Sequence, residues 1–209
     1  MSLSYNEQKE SRKNPALEKA RKELKNMDPD FICQRTGIKY SSSDQCFYLP
    51  CFNKVYQISY PEGKIVARED QTAPPRGLKI ILLHFLLQGN NAPPRDKFIS
   101  FKELPQAKPY AGPFHRQAIK PVIEKFGRSP EKLKKAALKL QATLIAESDF
   151  GFTIDSLPTV PITYLVWFGD EEMEGGANLV FDQSIISKLH SEDISFLGEF
   201  ATDLLIKSA

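Results

Sequence analysis

The clearest pattern in the chain is a pair of apolar runs in its C-terminal third. Residues 162–168 and 177–181 are nearly all β-branched, aromatic or aliphatic, and an acidic, glycine-containing segment separates them. Such residues suit a buried, pleated surface, and the lack of polar alternation indicates a strand covered on both faces. Gly175 and Gly176 give the backbone freedom that a chain reversal needs. The pattern therefore predicts a central β-hairpin.

Helical periodicity recurs in the rest of the chain. Residues 15–27 place apolar side chains on one face, behind a proline at the start. Residues 78–87 are apolar almost all round, which is typical of a buried helix. Ser191 is predicted to cap the last helix, because two acids follow it in the first turn. Further helices are predicted over residues 29–35, 113–126 and 130–141.

Shorter β-rich runs complete the pattern, over residues 47–51, 55–60, 64–67, 98–101, 143–147 and 151–154. Together these elements predict the α+β class. We expect a mixed, mainly antiparallel sheet of roughly six to eight strands, packed against the buried helix 78–87 and the C-terminal helix. Residues 1–27 are predicted to form a peripheral N-terminal helix, and residues 28–209 a single α+β domain.

Composition and charge narrow the class of protein. The apolar fraction of 41% is enough for a sizeable core, and the net charge of +2 gives no argument for nucleic acid as a partner. The charge is unevenly distributed, however, with +7 over residues 102–139 and −10 over residues 147–209. This distribution indicates either a basic helical layer beside an acidic half or a polarised surface for a charged partner.

The N-terminal residues bear on the cellular location of the protein, and the cysteines bear on disulfide and metal sites. The N-terminal residues are charged and lack the apolar core of a signal peptide, and no apolar run reaches membrane-spanning length. We expect a cytoplasmic protein without a membrane partner. Cys33, Cys46 and Cys51 are odd in number and contain no CxxC pair, which argues against a disulfide scaffold and standard iron–sulfur or zinc motifs. They either pack as small apolar residues or form a three-cysteine site completed from outside.

Several polar residues stand at positions that suggest chemistry. Asp170 and Glu172 belong to the acidic segment, which can bind a hard cation or can serve as a solvated turn whose charges discourage edge pairing. His84 lies in the predicted buried helix, either as a hydrogen-bonded core residue or as a ligand or proton-transfer group. Arg116 lies where a loop becomes a helix, a place suited to anions, unless Phe114 begins the apolar face and Arg116 points to solvent.

No GxGxxG, Walker A, HExxH or GxSxG motif is present. The chain instead carries an ordered set of short motifs: LLHFLL (82–87), FISFKELP (98–105), YAGPFHR (110–116), VWFGDEE (166–172), LVFD (179–182) and LHSED (189–193). This set resembles domain-of-unknown-function family 3786, an uncharacterised family found mostly in anaerobic bacteria and archaea. The resemblance covers about residues 28–206.

The resemblance implies no established activity. Some members resemble fusions to a cysteine-rich iron–sulfur segment, which implies a place in anaerobic redox or one-carbon metabolism. The N-terminal part of this chain has no such cysteine cluster, so the resemblance does not extend to a cluster bound by the chain itself. The polar motif positions are the candidate site residues: His84, Glu103, Tyr110, Arg116, Trp167 and Asp182 for ligand binding, and Asp170 and Glu172 for a metal. No catalytic residue and no cofactor is designated.

The first function that these residues suggest is a ligand- or cofactor-binding accessory protein of anaerobic metabolism. Trp167 and Tyr110 would stack on a small-molecule metabolite or on a corrinoid or other tetrapyrrole, and Arg116 and His84 would fix its polar groups. The first alternative is an interaction subunit that docks on a redox or one-carbon protein partner through the polarised surface.

The second alternative is an enzyme. It would use His84 with a carboxylic acid as a proton-transfer pair, or Asp170, Glu172 and Asp182 around a divalent ion. A homodimer formed through the N-terminal helix is compatible with each of the three functions.

Overall fold

The computed structural model describes residues 14–209, and the contacts among them divide the chain into two units. The first unit contains the described residues up to Leu49 together with Val55–Asn90. The second unit contains Pro50–Lys54 and Asn91–Ala209. The prediction of a single domain over residues 28–209 stays a prediction.

The first two helices of the first unit have residues at their ends that favour helix initiation or termination. Oδ1 of Asn14 accepts hydrogen bonds from the backbone N of Ala16 (2.9 Å) and of Leu17 (3.1 Å), which caps the first helix. Gly37, at φ 71°, ends the second helix in the left-handed conformation that glycine adopts without strain. The helices are α1 (Pro15–Lys25), α2 (Pro29–Thr36) and α3 (Arg76–Gln88). Residues 1–13 of the predicted N-terminal helix lie outside the described residues.

Helix α3 is buried, as its apolar sequence predicts. It packs against α1 and α2. Its buried side chains are Leu78, Ile81, Leu82, Leu83, Phe85 and Leu86. The strands that precede it form a four-stranded sheet in the order β1-β2-β3-β4. These strands are β1 (Lys39–Ser41), β2 (Cys46–Cys51), β3 (Lys54–Ser59) and β4 (Ile65–Ala67).

The second unit is built on a five-stranded antiparallel sheet in the order β5-β9-β8-β7-β6. The predicted hairpin forms its centre. Its two strands pair from Ile162, opposite Phe181, to Trp167, opposite Gly176. The strands are β5 (Phe98–Ser100), β6 (Thr143–Ile145), β7 (Phe150–Leu157), β8 (Val160–Trp167) and β9 (Gly176–Asp182).

The helices of the second unit include one that changes type along its length. Helix α4 consists of an α-helical segment (Ala111–Phe114), a π-helical segment (His115–Ile119, the π-turn below) and a second α-helical segment (Lys120–Phe126). The others are α5 (Pro130–Lys139) and α6 (Ser191–Lys207), with 3-10 turns at Phe101–Glu103 and Gln183–Ser187. Ser191, the predicted cap of the last helix, is instead its first residue, and His190 holds the N-cap position.

The α+β class is confirmed. The strands form two antiparallel sheets, however, where one mixed sheet was expected. The reason lies in the short connections of the chain, since consecutive strands joined by a few residues pair with each other. Strands β1–β4 are consecutive and pair in sequence order, and so do strands β6–β9. Helix α3 lies between these two sets in the sequence. None of the helices within residues 14–209 has the length and apolar character needed to cross a membrane.

The three cysteines are buried or half-buried. Cys46 and Cys51 are buried, Cys33 is half-buried, and all three are free thiols. Burial raises the pKa of the Cys33 and Cys51 thiols, which keeps them protonated. Among the described residues, no group of three or more His, Cys, Asp or Glu side chains is arranged to hold a metal ion.

A buried chain of hydrogen bonds joins the sheet, α6 and α4 in the second unit. Oγ1 of Thr202 donates to the carbonyl oxygen of Ala118 in the π-turn (2.8 Å). The hydroxyl oxygens of Thr202 and Tyr164 are 3.1 Å apart. Because a threonine hydroxyl has one proton and Ala118 takes it, the Tyr164 hydroxyl must be the donor in the second bond. Burial raises the pKa of Tyr164, which favours this protonated form.

The relative stability losses caused by two substitutions test this series of hydrogen bonds. Thr202→Val should lower the free energy of unfolding by about 2–4 kcal/mol, because it removes both hydrogen bonds and leaves the Tyr164 hydroxyl buried without an acceptor. Tyr164→Phe should lower it by only about 1 kcal/mol, since Thr202 still serves Ala118. Urea denaturation measures both, with Thr202→Ser as the control that keeps the hydroxyl. Equal losses for the two variants would contradict the assigned direction of donation.

Candidate ligand-binding groove

A groove of about 430 Å³ opens on the second unit beside the last residue of β8. Three parts of the chain line it: the 3-10 turn after β5, helix α4 with its π-turn, and the adjoining ends of β8 and β9. The lining residues are Ser100, Phe101, Lys102, Ala111, Phe114, His115, Ile119, Trp167, Ala177 and Asn178. Because these parts are distant in sequence, the groove exists only in the folded unit.

The floor of the groove is aromatic and closely packed. The rings of Phe101 and Phe114 stack with centroids 4.1 Å apart and an interplanar angle of 11°. Phe181 of β9 packs on Phe114 from the side, at 6.1 Å. Gly198 of α6 lies so close that a Cβ built on it would be 2.6 Å from a ring atom of Phe114. Glycine at this position therefore lets α6 support the floor.

The π-turn brings two side chains to the groove, and a proline explains its position. Pro121 has no N–H, and its ring collides with the carbonyl four residues earlier, so α-helical bonding cannot continue through it. The π-turn ends at Ile119, and the α-helix resumes in the segment that contains Pro121. His115 and Ile119, the first and last residues of the π-turn, both line the groove. Such turns inside α-helices are frequent at functional sites.

The rim carries the polar groups. Trp167 is the chain's single tryptophan, and 43% of its side chain is exposed at the end of β8. Cε3 of its ring is 3.8 Å from the position that a Cβ on Gly176 would take. The ring therefore packs against a residue that has no side chain. The ionisable side chains among the lining residues are Lys102 and His115, and Asn178 adds an amide. The rim can therefore stack on a flat ring and attract an anionic group.

Of the residues predicted from sequence, Trp167 lines the groove. Glu103 is a near neighbour of two lining residues, but its carboxylate accepts a hydrogen bond from the backbone N of Ser100 (2.7 Å) in a capping box. The hydrogen bonds from the Ser100 backbone and hydroxyl lower the pKa of Glu103. Glu103 thus fixes the 3-10 turn that carries Lys102 into the groove.

Tyr110 and Arg116 have other neighbours. The carboxylate of Glu192, which also accepts a hydrogen bond from the Tyr110 hydroxyl, raises the pKa of Tyr110. The guanidinium of Arg116 lies near Gly112, 3.5 Å from the position a Cβ there would take, and the side chain is exposed. Neither residue is among those that line the groove. Phe114 does begin the apolar face of α4, which favours the interpretation with Arg116 in solvent.

The acidic segment forms the exposed connection between β8 and β9. Oδ1 of Asp170 accepts hydrogen bonds from the backbone N of Glu172 (2.9 Å) and of Met173 (2.8 Å), and these bonds lower the pKa of Asp170. Asp170 thereby closes a local turn, while Glu172 is exposed. The metal-binding role of the two acids stays a prediction.

Asp182 is buried, with 3% of its surface exposed. Its carboxylate accepts hydrogen bonds from the backbone N of Arg95 (2.9 Å), Lys97 (3.3 Å) and Ser184 (2.8 Å). Burial alone would raise its pKa, but these bonds hold the pKa below its usual value. Asp182 therefore anchors the loop before β5 to the end of β9. His84 is half-buried in α3 of the first unit, and its ligand role stays a prediction.

A family model described as a domain of unknown function, DUF3786, matches residues 28–203. The chain belongs to this family. No curated protein and no solved structure gives a significant match. The DUF3786 match includes every residue of the groove, so the groove is formed by the family's own part of the chain.

Of the ten residues that line the groove, only Trp167 was a candidate from the sequence, and the polar residues that were not selected are Ser100, Lys102, His115 and Asn178. His115 and Lys102 stand beside candidates that were selected, Arg116 and Glu103 respectively, and Asn178 directly precedes the LVFD motif. The sequence pattern does not determine which of His115 and Arg116 faces the groove. The proline at 121 predicts a distortion of the helix, but not which side chains the distorted helix turns toward the groove.

Substitution of Gly198 tests the packing of the groove floor. Alanine is about 1 kcal/mol better than glycine inside a helix, so Gly198→Ala would stabilise α6 if space allowed. Because the new methyl meets the buried Phe114 ring, we expect a net loss of about 1–2 kcal/mol in the free energy of unfolding. In a Phe114→Leu background the same substitution should be neutral or stabilising. A stabilised Gly198→Ala single variant, measured by urea denaturation, would contradict the described contact.

Proposed function

We propose that this DUF3786 protein binds a small planar metabolite with an anionic group in the groove beside Trp167. The observation that carries the proposal is the combination at the rim, where a half-exposed tryptophan stands with Lys102 and His115 above an aromatic floor. An exposed tryptophan offers a flat face, and stacking of a heteroaromatic ring on such a face contributes about 1–3 kcal/mol. The ammonium group of Lys102 supplies the attraction for an anion, and the His115 ring can donate a hydrogen bond to it.

The size of the groove bears on the class of ligand. Its volume of about 430 Å³ lies in the lower part of the range of roughly 300–1,000 Å³ that is usual for small-molecule pockets. This supports a ligand of one or two fused rings over a corrinoid or other tetrapyrrole. The ligand's edge would meet Asn178, whose amide can both donate and accept a hydrogen bond.

We further propose that the protein is cytoplasmic and serves as an accessory protein of anaerobic metabolism. The three free thiols support a reducing compartment, because paired cysteines are typical of oxidising ones. The anaerobic setting is proposed from the resemblance of the sequence motifs to the DUF3786 family, whose members are expected mostly in anaerobic organisms.

A second candidate function is docking on an acidic face of a redox or one-carbon protein. Helix α5 supports it, since one side buries Leu133, Ala136 and Ala137 while the lysines point outward. The exposed lysines are Lys132, Lys134, Lys135 and Lys139. Association through such a surface should weaken steeply as salt screens the charges.

Tryptophan fluorescence tests the first proposal directly, since Trp167 is the single source of the signal. Two matched probe pairs, nicotinate with nicotinamide and AMP with adenosine, share a ring and differ in charge. We expect the anionic member of at least one pair to quench Trp167 saturably and to bind more tightly than its neutral partner, because the charge of Lys102 favours the anion.

Calorimetry with the same probes then separates the contributions of the rim. Trp167→Ala should weaken binding about tenfold through lost stacking, and Lys102→Gln about 2–5-fold through lost charge. Lys134→Gln on α5 is the matched control and should leave affinity unchanged. Absence of saturable quenching by all four probes, or an unchanged affinity in Trp167→Ala, would overturn the proposal.

A further inference from the structure

A second cavity, of about 330 Å³, lies at the opposite end of β8 from the groove. Two chain reversals of the second unit contribute to its lining: the turn after β2, which carries Phe52, and the turn between β7 and β8, which carries Thr159. Thr159 directly precedes β8 and Trp167 ends it, so the eight residues of the strand separate the two places by about 25 Å. The cavity is therefore distinct from the proposed ligand groove.

Both turns hold a bulky residue in an unusual backbone conformation. The φ of Phe52 is 50° and that of Thr159 is 59°, in the left-handed region where aromatic and β-branched residues are outliers. Within residues 14–209 eight non-glycine residues have a positive φ, and the other six are Gln, Asp or Ser. The two bulky members of this set line the same cavity. Residues in such conformations are concentrated at active sites and ligand clamps.

A buried lysine holds the Thr159 turn in place. The ammonium of Lys188 donates hydrogen bonds to the carbonyl oxygen of Ala92 (2.5 Å) and to the carbonyl oxygen (2.9 Å) and Oγ1 (2.5 Å) of Thr159. Because Lys188 is 0% exposed, these three oxygens take the place of water around its three N–H groups. The turn is thereby tied to the loop around Ala92.

The Phe52 turn is held by two contacts of its own. The backbone N of Phe52 donates to the carbonyl oxygen of Ser156 in β7 (2.8 Å). Its ring packs on Phe200 of α6, with centroids 5.5 Å apart. Both turns are therefore fixed before any ligand arrives, and a preformed site loses less entropy on binding than one that must be ordered.

The lining of the cavity indicates the chemistry of a ligand. Its wall is largely apolar and is formed by Pro50, Phe52, Leu157 and Pro158. The hydroxyl of Ser156 donates to the carbonyl oxygen of Val160 (2.6 Å), and the hydroxyl of Thr159 accepts from Lys188. Since both hydroxyls have partners within the protein, the cavity suits an apolar molecule.

The charge of the lining excludes one class of apolar molecule. Asp155 is the ionisable residue of the lining, and it is exposed. Its carboxylate disfavours an anion nearby. We propose that this cavity is a binding site for a small apolar molecule about the size of one aromatic ring with a short substituent, either neutral or cationic. Its ligand class thus differs from the anionic one of the groove.

A pair of purely structural turns would have the same contacts. The two roles differ in their response to small molecules. A binding site takes up apolar probes saturably, and the affinity depends on the Phe52 ring. A structural connection has neither property.

Methyl NMR on the full-length chain separates the two roles. Benzyl alcohol, benzylamine and benzoate share a phenyl ring and differ in charge. We expect the neutral and cationic probes to shift the Leu157 methyl resonances saturably, and benzoate to bind about 2-fold or more weakly, because Asp155 repels it. The Ile119 methyl, which lines the groove, is the internal control. Shifts at Ile119 without shifts at Leu157 would overturn this inference and leave the groove proposal standing.

Substitutions then test the named residues. Phe52→Gly removes the ring and leaves a residue that adopts φ 50° without strain, so affinity for benzyl alcohol should fall about 2–10-fold in a folded chain. Gln141→Gly is the matched control, because Gln141 has a φ of 56° and lies outside the lining, and it should leave affinity unchanged. Asp155→Asn should remove the discrimination against benzoate.

Two results would overturn the proposal. The first is the absence of saturable Leu157 shifts with all three probes in the unaltered protein, a readout that holds even if Phe52→Gly fails to fold. The second is an unchanged affinity for benzyl alcohol in Phe52→Gly, once circular dichroism shows that the variant is folded.

Discussion

The buried hydrogen-bond chain from Tyr164 through Thr202 to Ala118 is the interaction on which the second unit depends. It joins the middle strand of the sheet, the last helix and the π-turn, and it does so away from water, where an unpaired partner is costly. Pro121 lies three residues after Ala118, so the bond from Thr202 is made in the part of α4 where the proline interrupts regular helical bonding. Thr202 donates to a carbonyl of the π-turn, in just the part of α4 that borders this disruption.

The groove follows from that arrangement. With the π-turn held against α6, Phe114 meets Phe101 in a stack, and His115 lies on the groove side of the helix. Strand β8 supplies the opposite rim through Trp167. Central strands are the least mobile parts of a sheet, which suits a strand that carries one rim of the groove.

The sequence predicted the elements whose signal is local. The hairpin at 162–181, the buried helix at 78–87 and the α+β class all follow from periodicity and residue type. The site was less predictable, because its residues acquire their roles from distant partners. Asp182 was selected as a ligand residue, yet three backbone amides surround its carboxylate. Lys188 was not singled out from the sequence, and its buried amine is bound by carbonyl groups from positions 92 and 159. Two sheets formed where one was expected, since strand adjacency depends on connections as well as on propensity.

Hydrogen exchange in Thr202→Val tests the central claim most directly. The account assigns Thr202 the specific task of holding the π-turn, so the loss of its hydroxyl should act first on the neighbouring amides. Amides of residues 115–123 should exchange faster than in the unaltered protein by more than the change in global stability explains, while the β7–β8 amides should change only by that global amount. A uniform change across both regions, or unchanged exchange in residues 115–123, would contradict the account.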